Sequence, residues 1–243
     1  MPPAMQLKTF GLPIQLVMVV KDFRNQPIRL KAYHPTHPNT VYCDIRNEYD
    51  YHVKKLIPLK FPITPEDSMA LELSYADGSQ LQLESLKTEV LKSQPLLISA
   101  DNIEFLRFAE TFAEQAGYVK AGVFSDPHNK FQIEYAPEIV YERDGKKYTT
   151  PARVDHDTGV VSAAQKDFIR YTIPMRVFIL MHERFHYAHN VENESYPDKM
   201  AGIVCVRAGF PKDEISYAAT KIFSDTEENR QRALELNFAI DNA

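Results

Sequence analysis

The sequence predicts an α+β protein, with an all-β first part over residues 1–100 and a helix-and-sheet part over residues 101–243. Three observations carry this. The first hundred residues hold short apolar runs parted by Pro- and Gly-containing turns, the pattern of a sandwich or small barrel. The pattern then changes at Asp101 to helical periodicity. Finally, residues 173–190, IPMRVFILMHERFHYAHN, form a run apolar on nearly every side, which is the mark of a buried helix.

Taken in order, strands are expected over residues 5–10, 14–20, 28–34, 41–45 and 53–61. The stretch LELSYADGSQLQLE alternates apolar and polar on both sides of Ala76-Asp77-Gly78-Ser79, so it reads as a hairpin. Asp101 with Glu104 reads as a capping box for a helix that Gly117 ends. Its positions Ile103, Phe105, Leu106, Phe108, Ala109 and Phe112 make one wide apolar stripe. Strands follow at 119–124, 131–135 and 139–142, a turn at Asp144-Gly145 leads to 147–150, and 153–156 reaches a turn at Asp157-Thr158-Gly159. Pro174 suits a first helical turn and Asn190 an αL terminus, so the apolar helix should span the residues between. A further helix is expected from about Glu194 to Ala208, stopped by Gly209, with Pro211 opening another. Ser224 with Glu227 is the expected cap of the last one.

Length and composition bound the class. A chain of 243 residues allows one large or two modest domains. The boundary falls near residue 100, giving 1–100 and 101–243. Net charge is −5 with no long basic run, which argues against a nucleic-acid partner. The longest early apolar run, LPIQLVMVV, is too short to span a bilayer and lacks the flanks of a signal peptide. Cys43 and Cys205 are far apart with no CxxC, as in a reducing compartment. The expectation is an intracellular, cytoplasmic protein without a membrane partner, or one packaged inside a larger particle such as a virion.

The chemistry lies in His182-Glu183-Arg184-Phe185-His186, which spells HExxH. On a helix, residues four apart share a face. His182 and His186 can therefore grip one Zn²⁺ together, with Glu183 placed to take a proton from a water beside the ion. Unpaired buried polar groups are costly, so a buried helix carrying them needs a reason. The link to the next helix is short, which should return that helix antiparallel and bring its first turn to the metal. Glu194 is then the third ligand, and Asp198, one turn on, the carboxylate that orients a His. The reverse assignment remains open. Glu192 falls in the turn. His189 is either a fourth ligand, which would close the site, or a solvated helix-end His favoured by the macrodipole. Tyr187, Tyr196 and Tyr217 are possible donors to a developing oxyanion. The pair His34 and His37, in HPTHPN, is read as a solvated loop. Asn193-Glu194-Ser195 matches a glycosylation acceptor, but a glycan there would sit on the proposed metal site.

HExxH, a short loop and then E-x-x-x-D-x-x-A resembles the zincin superfamily in its gluzincin-like arrangement, and it is similar to small intracellular peptidases that cleave regulatory proteins. The resemblance covers roughly residues 152–208. It implies zinc on His182, His186 and Glu194, with Glu183 as general base, and Asp198 and Ala201 match its D-x-x-A. It also implies that the strand before the motif helix, here 159–163, lies along the cleft and pairs with an extended substrate. Phe185 and Pro197 depart from the small residue and the Ala common there, and Phe185 adds bulk beside the site.

Two functions follow as expectations. One is a zinc metallopeptidase acting on a protein or peptide substrate, with residues 1–100 recognising or anchoring the target. The other is a structural or assembly protein that retains the zincin fold, as a homo-oligomer or part of a larger assembly. Zincin-like proteins among the structural genes of tailed phages are a weaker resemblance in that direction.

Overall fold

The computed structural model describes residues 4–21, 24, 26–45, 56–92, 95–143, 145–222 and 226–243. Seven strands come first among these: β1 (Met5–Lys8), β2 (Ile14–Val20), β3 (Ile28–Tyr33), β4 (Val41–Ile45), β5 (Leu56–Phe61), β6 (Ser68–Tyr75) and β7 (Leu83–Val90). They form two antiparallel sheets, ordered β1-β6-β3-β4 and β5-β2-β7. The period of two is visible in the burial. Ile14, Leu16, Met18 and Val20 of β2 point inward, as do Ile28, Leu30 and Ala32 of β3, so each sheet gives one face to the core.

The expected 76–79 turn forms, with the Tyr75 N–H donating to Ser79 O. The long hairpin does not. After one bridge, Ser74 to Gln80, β6 joins β1 and β3 while β7 joins β2. A two-stranded ribbon alone is marginal; β6 instead lies between β1 and β3 with Met69, Ala70, Leu71, Leu73 and Tyr75 buried, and β7 takes an edge beside β2. The strand expected at 53–61 is described from Leu56; residues 53–55 lie outside the described residues.

Helix α1 (Ala100–Gln115) begins two residues earlier than the Asp101 capping box predicts. Ser99 is the N-cap, its Oγ accepting from the Asn102 N–H, and Asp101 and Glu104 instead share Lys130 at 2.8 and 2.6 Å. Extended backbone at Ser99 puts its hydroxyl within reach of the third helical N–H. Next come β8 (Gly122–Ser125), β9 (Gln132–Ala136), β10 (Val140–Arg143), β11 (Lys146–Thr149), β12 (Ala152–Val154) and β13 (Val161–Ala164). Four of them make a mixed sheet, β12-β13-β9-β8, in which β13 and β9 are parallel; β10 and β11 form a separate ribbon. Asp144, half of the turn expected between that pair, lies outside the described residues.

The helices close the fold: α2 (Gln165–Phe168), α3 (Ile173–His189), α4 (Ser195–Ala208), α5 (Lys212–Ile222) and α6 (Glu227–Asp241). Short α2 has no counterpart in the sequence reading. Thr226 caps α6, whereas Ser224, the expected cap, lies outside the described residues. No helix among the described residues is long and apolar enough to cross a membrane.

Among the described residues no β-ladder joins the first seven strands to the later ones. The apolar core is nevertheless continuous through both parts. Arg176 of α3, fully buried, donates at 2.7 Å to Phe168 O, Ala113 O and Asn39 O. One guanidinium thus ties α3 to α1 and to the loop before β4, where three carbonyls replace its lost hydration.

Candidate metal centre

Helix α3 runs as its end signals require. Thr172 caps it, Pro174 occupies the first turn, and Asn190 ends it in the left-handed region at φ 47°. Residues 190–194 fold α4 back against α3, and Gly209 ends α4 in the same way at φ 104°. This brings His182, His186 and Glu194 together.

The nitrogens His182 Nε2 and His186 Nε2 are 3.0 Å apart, and Glu194 Oε2 lies 3.2 and 3.5 Å from them. Three ligands on a tetrahedral Zn²⁺, each about 2.0–2.1 Å from the ion, stand roughly 3.3–3.4 Å from one another. The donor set therefore fits such an ion in spacing as well as in type. The outer ring nitrogens are also held. His186 Nδ1 meets Val191 O at 2.6 Å. His182 Nδ1 lies 2.9 Å from Asp198 Oδ1, an ion-pair contact bent away from a linear hydrogen bond. Both contacts turn the Nε2 lone pairs towards the shared point. Glu194 is thus the carboxylate in the three-atom group, and Asp198 the one behind His182.

Burial opposes charge on His182, but its close contacts with the Asp198 and Glu194 carboxylates outweigh this and push its pKa up to about 10. Burial likewise opposes ionisation of Glu194, yet its bonds to His182 and His186 hold it well below the usual carboxylate range. Glu183 shifts upward, chiefly because it is buried.

Arg232, which the sequence reading missed, completes the cluster. Its Nε donates to Asp198 Oδ2 at 2.8 Å, and its Nη2 to Glu194 Oε2 at 3.1 Å. It comes from α6, 34 and 38 residues away from these partners. Nothing in the local pattern NRQRALELN marks it, because only the packing of α6 on α4 carries it there.

The cluster opens into a cleft of about 830 Å³, lined by residues between 141 and 232. Tyr141 and Tyr148 enter from the β10–β11 ribbon, Arg153 from β12, and His156 from the turn beyond it. Tyr187, Tyr196 and Tyr217 are not among the lining residues. Tyr187 packs under Arg184 and Gly159, Tyr196 meets His189 Nε2 at 3.3 Å, and Tyr217 lies beneath Lys221. His189 is exposed and outside the three-atom group, so it is not a fourth ligand here. The Phe185 ring is buried and turned away from the cleft, against His189, because its helical position faces the core. Glu192 lines the cleft outside the three-atom group. His37 stacks on Tyr118 with ring centroids 4.2 Å apart, and no third ligand joins it and His34 among the described residues.

The strand expected along the cleft, 159–163, corresponds to β13, which is interior to its sheet. The edge is β12. Pro151 O accepts from the Ala164 N–H, and the Asp155 N–H donates to Val160 O. By alternation, the backbone groups of Ala152 and Val154 face away from β13. The Val154 N–H donates to Glu183 Oε2 at 2.9 Å, and Ala152 O accepts from Thr150 Oγ1 at 2.8 Å. The cleft strand therefore holds the HExxH carboxylate directly.

No family model matches the chain, and neither the curated proteins nor the solved structures contain a match to it.

Proposed function

We propose that the chain is a zinc-dependent peptidase. One observation carries the reading: three ligand atoms at tetrahedral spacing share a cleft with the carboxylate of Glu183. His182, His186 and Glu194 would hold the ion, with Asp198 and Arg232 setting the angle of His182 and Glu194. A zinc ion bound there supplies Lewis acidity, acidifying a water and polarising a substrate carbonyl. Glu183, steadied through one oxygen by Val154, takes a proton from the attacking water and returns it to the leaving amine nitrogen. An extended peptide entering the cleft would run alongside β12, the edge strand of its sheet. All cleft residues come from beyond residue 140, which leaves residues 1–100 to recognise or anchor the target.

A second reading has one observation in its favour. Glu183 ties β12 to α3, so its retention has a structural use even without catalysis. On that reading the ion would join α3 to α4 in an assembly component, such as part of a virion. Replacing Glu183 with Gln tests the two. The peptidase reading expects a folded, zinc-loaded variant whose peptide hydrolysis falls by at least ~10²-fold. A zinc-loaded wild type that cleaves no peptide, beside a variant that assembles normally, would overturn it in favour of the second.

A further inference from the structure

We propose that His156 is a catalytic residue of this cleft, donating a hydrogen bond to the substrate carbonyl oxygen as that oxygen gains negative charge. The inference rests on the peptidase reading above and adds the donor which that reading lacks. Water addition to a peptide carbonyl places charge on its oxygen, and donors fixed in advance around that point are among the largest contributors to rate. None of the three tyrosines considered from the sequence lines the cleft.

Tyr141 and Tyr148, which do line the cleft, stack on each other across the β10–β11 ribbon with ring centroids 5.7 Å apart. Arg232 is committed to Asp198, Glu194 and Asn229. Arg153 lies over the Tyr141 ring, 5.9 Å from its centroid. His156 lines the cleft, is exposed, and hydrogen-bonds to no other described residue. Its ring stands nearly perpendicular to that of His186, with centroids 6.3 Å apart. It is beside the metal group without belonging to it, since its nitrogens fall outside the three-atom set.

The ring is free, but its backbone is not. Asp155 Oδ1 accepts from the Asp157 N–H, the Thr158 N–H and Thr158 Oγ1 at 3.0, 2.8 and 2.9 Å. The Gly159 N–H closes the turn on Asp155 O at 2.8 Å. Gly159, at φ +75°, leaves no room for a side chain: a Cβ there would stand 2.8 Å from Cζ of Tyr187. Tyr187 directly follows His186 in α3, so the turn that presents His156 is pinned to the helix that presents the metal ligand. Val154, two residues before His156, fixes Glu183. One short segment thus positions the proton acceptor through Val154 and, two residues on, holds the backbone that carries a spare donor at the cleft.

His156→Ala and His156→Gln test this, with three readouts. Zinc affinity is measured by chelator competition. Binding of inorganic phosphate, a tetrahedral anion, is followed in the visible spectrum of the cobalt-substituted protein. Peptide hydrolysis supplies kcat and KM. The expected result for His156→Ala is unchanged zinc affinity, phosphate binding weaker by about 10-fold or more, and kcat lower by ~10²–10³-fold with little change in KM. Gln, which keeps an N–H, should recover part of both losses. Phosphate binding unchanged in the Ala variant would overturn the proposal. So would a loss of zinc affinity of about 10-fold or more, which would make His156 part of the metal's own ligand set or its direct support. Failure of the peptidase reading looks different: the wild type itself cleaves nothing, and the catalytic role of His156 falls with it.

Discussion

Replacing Asp198 with Asn probes the carboxylate behind the proposed metal ligands. Asp198 is 1% exposed. One oxygen lies 2.9 Å from His182 Nδ1 and the other accepts from Arg232 Nε at 2.8 Å. Asn keeps the volume but exchanges one of those oxygens for an amide NH₂. Whichever contact the NH₂ faces becomes donor against donor. If it faces His182, the ring loses the partner that orients it, and loss of such a partner lowers metal affinity about 10–100-fold, or roughly 1.4–2.7 kcal/mol. If it faces Arg232, the metal-free protein loses a hydrogen bond between charged groups, worth about 1.5–3 kcal/mol. The lower end applies there, because Arg232 keeps Glu194 and Asn229. Chelator competition reads the first quantity, and urea melts in EDTA the second. Zinc affinity and metal-free stability both equal to wild type would refute the assignment. Glu194→Gln is the comparison that settles order: it should cost more zinc affinity than Asp198→Asn, and the opposite ranking would make Asp198 the ligand.

Two further outcomes follow from the packing around this centre. A Cβ on Gly202 would stand 2.4 Å from Leu236 Cδ1 and 2.8 Å from Ile240 Cγ2 of α6, so Gly202→Ala should cost about 1–3 kcal/mol by overpacking. Because α6 carries Arg232, zinc affinity should fall with it; a chemical melt that matches wild type would show that α4 and α6 do not pack this closely. Burial raises the pKa of Glu214 to about 7, against the bonds it accepts from the Asp44 N–H and the Thr172 hydroxyl. Its folded pKa lies above the ordinary 4.5, so its contribution to stability is fully present below pH about 4.5 and is lost as pH rises to about 7, a span worth about 3 kcal/mol. The stability difference between wild type and Glu214→Gln should move against wild type across that window, and a difference independent of pH would contradict the burial argument.

Much of the local structure was legible in the sequence, because its causes are local. The limits of α3 follow from Thr172, Pro174 and Asn190, and those of α4 from a short link and Gly209. The i, i+4 spacing of His182 and His186 puts both rings on one helical face whatever surrounds them, and the shortness of the link brings Glu194 within their reach. The alternation in β2 and β3 likewise marks their buried faces. What a strand pairs with is a different kind of fact. The 71–84 stretch alternates as a hairpin should, yet β6 and β7 part into two sheets, and β12 rather than β13 holds the edge. Alternation tells which face is buried but not which strand lies alongside. Arg232 and His156 were invisible for the same reason. An arginine on a polar helix and a histidine in a turn carry no local mark of function. They reach the cleft only when α6 packs on α4 and when Gly159 seats its turn against Tyr187. Periodicity and end signals act over a few residues of chain, so the sequence determined helices, strand faces and the HExxH pair. The cleft is closed by contacts such as Val154 to Glu183, 29 residues apart, and Arg232 to Asp198, 34 apart, and only the tertiary structure decided those.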